Sequence, residues 1–231
     1  MTNVQLARQL VTAPRRFFTE LAETPRYALP MWAIVLTTLV LIFWFYSIAN
    51  IEWLIEQQLN SNPRTAAMSE AERAQAMRFM TRGMMTSIAV GGGLFIIVAF
   101  RLIEAAYYAL VGRLTGHRRT FRQWFAFSWW TTAPALIGVV PALLLLAMST
   151  GSPTDVGLLQ PLSLNELFFH RRIGEPGFQL FSNVSILTIV TLGLTVYGQK
   201  CWSGRSWLYS AVVVLTVPVL IGGWALTTVL K

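Results

Sequence analysis

Side chains that do chemistry are scarce in this sequence. One cysteine, Cys201, stands among 231 residues, so no disulfide can form within the chain. Histidine occurs twice, at His117 and His170, and no set of His, Cys and carboxylates has the spacing of a zinc site. The stretch GRLTGHRRT lacks the Gly-Lys-Ser/Thr of a phosphate loop. The topology given below separates the two histidines, so no Ser–His–Asp set has its members on one face. The expectation is a chain that is not an enzyme and carries no catalytic residue, no metal and no cofactor. Charge is scarce too, at 12% of residues, half of the roughly 25% of a soluble domain.

What is present is apolar length. Hydrophobic residues make up 55% of the chain, and the mean hydropathy is +0.54. A spanning helix needs about 20 consecutive apolar residues. Charge-free runs of that order lie at 27–51, 83–100, 123–154, 176–199 and 206–230. They predict an all-α polytopic integral membrane protein with five transmembrane helices in a bundle, at about 28–50, 83–103, 124–147, 178–198 and 207–229. The runs are too long and too uniformly apolar for the strands of an outer-membrane barrel, which alternate over about ten residues. Residues 1–26 form an arm ahead of this 27–231 domain. Arg15-Arg16-Phe17-Phe18 imitates a twin-arginine signal. Glu20, Glu23, Pro25 and Arg26 part it from the apolar run, so the run is read as a span that is kept.

The flanking charges set the orientation. With the N-terminus inside, the inside segments 1–26, 101–122 and 200–205 hold eleven Lys and Arg against seven outside. The acids run the other way, three inside and seven outside, so the entire net charge of +8 falls inside. Basic flanks on the cytoplasmic side are what membrane topology requires, and they attract anionic lipid. That accounts for the excess without nucleic acid as a partner. Arg15, Arg16, Arg118, Arg119 and Arg122 are the candidate anionic-lipid contacts. Sixteen Arg to two Lys hints at a GC-rich bacterial genome.

Between the spans lie shorter helical patterns. In the arm, Leu6, Leu10, Phe17 and Leu21 recur near helical spacing, which suits a helix lying on headgroups or one packed on the bundle. Ser69-x-x-Glu72 is a capping box in the first outside loop. Ser163-x-x-Glu166 suggests a short helix in the second, about 149–176. Five methionines between Met68 and Met85 could serve copper(I), but Met also fills packing gaps, and packing is the preferred reading. Arg101 and Glu104, three residues apart on one helix face, are the candidate ion pair. They lie at the lower edge of a span over 83–100 or, in the rival register of 91–112, within the membrane. The interface is preferred because burying both charges costs several kcal/mol.

Three segments together resemble the Yip1 domain family. APRRFFTELAETPRYALPMWAIVL is similar to the bacterial members' opening, with Pro14, Phe17, Phe18 and Pro25. LVGRLTGHRRTFRQWFAFSWWTTAP looks like the family's Gly turn and third span, with Gly116, Phe121, Trp129 or Trp130, and Pro134. CWSGRSWLYSAVVVLTVPVL looks like its last turn and fifth span. The eukaryotic members' long N-terminal domain and their Asp-Leu-Tyr-Gly-Pro motif are missing, and Arg26-Tyr27-Ala28-Leu29-Pro30 stands in the motif's place. The resemblance therefore implies a bacterial member and a fold. It does not carry over the binding of prenylated Rab GTPases.

The expected protein is a non-enzymatic bacterial inner-membrane protein whose partners are membrane lipids and other membrane proteins, with oligomeric state open. The alternative is a transporter or lipid-translocating component, with Arg101, Glu104, Ser128, Thr131, Thr132, Asn183 and Ser185 gathered around a cavity. The topology predicts a C-terminus in the periplasm. A C-terminal alkaline phosphatase fusion should be active and a C-terminal GFP fusion dark, and the reverse pattern overturns the orientation.

Overall fold

The computed structural model describes residues 2–61, 63–149 and 155–229. Part of the second outside loop, 150–154, and Lys231 lie outside them. Helix makes up 82% of the structure, and no strand occurs among the described residues. The helices are α1 (Asn3–Thr12), α2 (Pro14–Glu23), α3 (Ala28–Ile48), α4 (Ile51–Ser61), α5 (Pro63–Ala66) and α6 (Glu70–Phe79). They are followed by α7 (Arg82–Leu114), α8 (Phe121–Thr132), α9 (Val139–Met148), α10 (Phe178–Asn183), α11 (Ile186–Ser203) and α12 (Trp207–Val229).

Among the described residues three helical stretches are long and apolar enough to cross a membrane: α3 with 21 residues, α7 with 33, and α8 through α9 with 28. α3 is apolar all round, and Trp32, Leu36, Val40 and Phe43 form an exposed stripe along it. A stripe of that kind is unfavourable in water and at home in lipid. The third stretch is not one regular helix. Pro134 falls in a 3-10 segment, Ala133–Gly138, joining α8 to α9, because proline lacks the N–H that an α-helix needs there.

The fourth run, expected as one helix over 178–198, is divided. Val184 is extended, with φ −104° and ψ 122°. Leu164 donates to the Val184 carbonyl at 2.7 Å, Ile186 donates to that of Leu162 at 3.1 Å, and Ser163 and Ser185 form an antiparallel bridge. Residues 162–164 thus take over the backbone groups between α10 and α11. α12 holds Pro218, and its described side chains form a shorter apolar stretch, Trp207–Leu220.

The chain divides into two compact units. The first comprises Met1–Val35, Phe95–Ala135 and Thr188–Ile221. Its core joins Leu6, Phe17, Phe18 and Leu21 of the arm to Tyr108, Trp124, Phe127, Trp130 and Trp202. The arm is therefore a packed element. α1 is capped by Thr2, α2 begins at Pro14, where proline suits the first helical position, and Pro25 lies in the extended break before α3. Three donors fasten its backbone: Trp202 Nε1 to the Phe18 carbonyl at 2.8 Å, Gln123 Nε2 to that of Ala22 at 2.6 Å, and Trp130 Nε1 to that of Arg26 at 2.6 Å. The ring of Phe18 lies 5.6 Å from that of Phe127 and 6.1 Å from that of Tyr197.

The second unit comprises Leu36–Leu94, Leu136–Leu187 and Gly222–Lys231. Phe45, Ala49, Leu54 and Leu146 form its core. The box at Ser69 and Glu72 is present at the start of α6, with both reciprocal bonds made. The short helix expected at Ser163–Glu166 is one π-turn, Asn165–Phe169. Buried Asn165 accepts from the Arg171 N–H and donates to its carbonyl, both at 3.0 Å.

Close packing in the first unit converges on Gly198. A Cβ there would lie 2.4 Å from Phe18 Cε1 and 2.5 Å from Phe127 Cε2, and both rings are fully buried. Gly198→Ala should therefore cost about 1–3 kcal/mol by overpacking. Gly193→Ala, with nothing within 4 Å, should be neutral or gain up to about 1 kcal/mol of helix propensity. Thermal unfolding of the two variants in detergent tests this, and equal melting points would contradict the ring wedge.

Candidate functional site

α7 carries Arg101, Glu104 and Tyr108 at helical spacing, so the three share a face. α8 carries Ser128 and Thr132 one turn apart. The two sets meet within the first unit. Arg101 Nη1 lies 2.7 Å from Glu104 Oε2, with side chains 16% and 20% exposed. The same nitrogen is 2.5 Å from Thr132 Oγ1 and 3.3 Å from both the hydroxyl and the carbonyl of Ser128. Ser128 Oγ donates to Glu104 Oε2, and Tyr108 OH donates to Oε1 at 3.3 Å.

This arrangement is a closed polar network. Each charge is answered by the other, and the hydroxyls occupy the remaining positions around the carboxylate. A buried pair persists when its hydrogen bonds are completed in this way. Arg101 does not reach outward along α7. Its guanidinium turns onto α8, with its carbon 5.7 Å from the Phe100 ring centre.

The other candidates for a polar pathway are placed elsewhere. Thr131 is buried and donates to the carbonyls of Phe127 and Ser128 at 3.1 and 3.2 Å. Asn183 donates to the Gln179 carbonyl at 2.6 Å, and Ser185 belongs to the bridge with Ser163, both in the second unit. Tyr108 was missed by sequence reading. Its signal was the spacing 101, 104, 108 on one face.

The basic candidates all lie in the first unit, whose residues carry eleven Lys and Arg and three acids. The second unit's residues carry seven of each. Arg15, Arg118 and Arg122 are exposed, and so is Arg16, which pairs with Glu20 at 2.8 Å. Arg119 is half-buried, and burial lowers its pKa from the usual guanidinium value. Gly116 holds a left-handed turn, φ +85°, that any side chain would strain. This turn leads into α8, which starts at Phe121 and is capped by Thr120. The turn is also held from α12's side: Arg205 Nη2 donates to the Thr115 carbonyl at 3.0 Å, and Tyr209 OH to Thr115 Oγ1 at 2.9 Å.

Among the described residues no group of three or more His, Cys, Asp or Glu could hold a metal. Comparison with known families gives a match to the Yip1 domain over residues 8–229. No curated protein matches the chain, and no solved structure does.

Breaking the α7–α8 network from one side should be costly. Arg101→Gln should destabilise by about 2–4 kcal/mol, somewhat below a fully enclosed pair because both side chains keep some exposure. Adding Glu104→Gln should recover at least about 1 kcal/mol of that loss, as coupled neighbours do. A double-mutant cycle on the detergent-solubilised protein measures this, and strict additivity would falsify the network.

Proposed function

The chain belongs to the Yip1 domain family, and from that premise we propose a non-enzymatic protein of the bacterial inner membrane that acts through lipid or protein contacts in membrane organisation. Its apolar helices and its family make it a membrane protein. In the proposed topology α3, α7, α8–α9, α10–α11 and α12 are five spans, with the N-terminus cytoplasmic and the C-terminus periplasmic. Membrane lipids are the proposed partners, with other membrane proteins beside them. Nucleic acid and cofactors have no part in it.

The concentration of charge carries this reading. All of the net +8 belongs to the residues of the first unit. The arm within that unit turns Phe17, Phe18 and Leu21 inward and leaves Arg15 and Arg16 outside. A basic surface of this kind attracts anionic headgroups, at roughly 1 kcal/mol per Lys or Arg near the bilayer.

A second reading, translocation of a solute or lipid, draws on the polar network of α7 and α8. Buried ionisable groups in membrane helices often line a pathway. Here Arg101 and Glu104 spend their charges on each other, which favours a packing role.

Proteoliposomes separate the two readings. The reconstituted chain should move labelled lipid across the bilayer no faster than protein-free vesicles do. Arg15→Gln, Arg118→Gln and Arg122→Gln combined should weaken retention of phosphatidylglycerol several-fold, read by native mass spectrometry. Translocation that disappears with Arg101→Gln and Glu104→Gln would hand the chain to the second reading.

A further inference from the structure

Beside the turn that precedes α8, the first unit leaves a cleft of about 250 Å³. Thr19, Ala22 and Glu23 of α2 line one side, and Arg119, Cys201 and Trp202 complete it. Arg119 sets this cleft apart. Its guanidinium lies over the Trp202 ring, 4.7 Å from the centre. Its Nε is shut away from solvent and has no hydrogen-bond partner among the described residues.

Several other arginines, by contrast, spend side-chain donors within the protein. Arg101 uses Glu104, Ser128 and Thr132. Arg205 uses the Thr115 carbonyl, Arg73 uses Asn60 and the Ala66 carbonyl, and Arg16 uses Glu20. A guanidinium stays charged in a protein and has no acceptor capacity. A half-buried guanidinium that pairs with no carboxylate among the described residues therefore fits an anion brought from outside. Its planar fork matches phosphate oxygens, and stacking on Trp202 fixes the plane of that fork.

Glu23 gives the second half of the argument. It lines the same cleft, it is exposed, and it forms no ion pair among the described residues. The cleft thus holds a cation and an anion that are not bonded to each other. Their complement is a ligand with both charges reversed.

We propose that this cleft binds a phosphate-ester headgroup bearing an amine, with the phosphate on Arg119 and the ammonium on Glu23. An aminophospholipid of the bilayer is the source that fits a membrane protein. The proposal rests on the lipid-interaction reading above and narrows it to one headgroup class and one cleft.

Native mass spectrometry of the full chain in detergent tests it, with phosphatidylethanolamine, phosphatidylglycerol and phosphatidylcholine as probes. The wild type should retain phosphatidylethanolamine best. Arg119→Gln should weaken that retention at least tenfold, and Arg119→Lys, which keeps the charge but loses the fork, should fall between. Glu23→Gln, at an exposed position that does not endanger folding, should abolish the preference for phosphatidylethanolamine over phosphatidylglycerol. Unchanged retention in Arg119→Gln, or an unchanged preference in Glu23→Gln, overturns the site and leaves lipid interaction standing. A wild type that retains no phospholipid overturns both. Glycerophosphoethanolamine competing as well as the intact lipid overturns the bilayer as the source.

Discussion

Three side-chain donors, from Trp202, Gln123 and Trp130, hold the backbone of the N-terminal arm at Phe18, Ala22 and Arg26. The rest of the first unit is arranged around that hold. Two of the donors come from α8, which therefore has one side committed to the arm. Ser128 and Thr132 give α8 a second commitment, to Arg101 and Glu104 of α7. Its position is fixed twice, by neutral hydrogen bonds to the arm and by a charged network to α7. A shift of α8 would break both sets together, and each net hydrogen bond is worth about 1 kcal/mol.

The carbonyls that a helix leaves unpaired at its C-terminal end find side-chain partners elsewhere in the chain as well. Arg82 reaches back to the carbonyls of Tyr46 and Ser47 at the end of α3, the latter at 3.1 Å. Arg205 does the same for Thr115 just past α7. A cation at a helix C-terminus also meets the negative end of the dipole. These arginines act as helix caps. A count of flanking charges is blind to that role.

What sequence could show follows from which signals are local. Apolar length exposed α3, α7 and the α8–α9 stretch, and the spacing of Ser69 and Glu72 exposed a cap that the structure contains. The arm was ambiguous because an amphipathic pattern looks the same whether its apolar side meets lipid or protein. The room for the Phe18 ring comes from Gly198, 180 positions later in the chain. The break at Val184 was hidden for a similar reason. It depends on pairing with residues 162–164, and nothing local in 178–198 requires it. Arg101 and Glu104 were visible as a pair by spacing alone, whereas the hydroxyls of Ser128 and Thr132 reach them from a separate helix.

The arm's hold has a consequence for how the protein is made. Phe18 and Trp202 are 184 residues apart, and chains grow at about 5–20 residues per second. Phe17, Phe18 and Leu21 are therefore synthesised about 10–40 s before the residues of α11 that complete their pocket. Through that interval the apolar side of α2 is without its pocket. The arm is held only after α8 and α11 have both been made, and the last of its three donors, Trp202, arrives with α11.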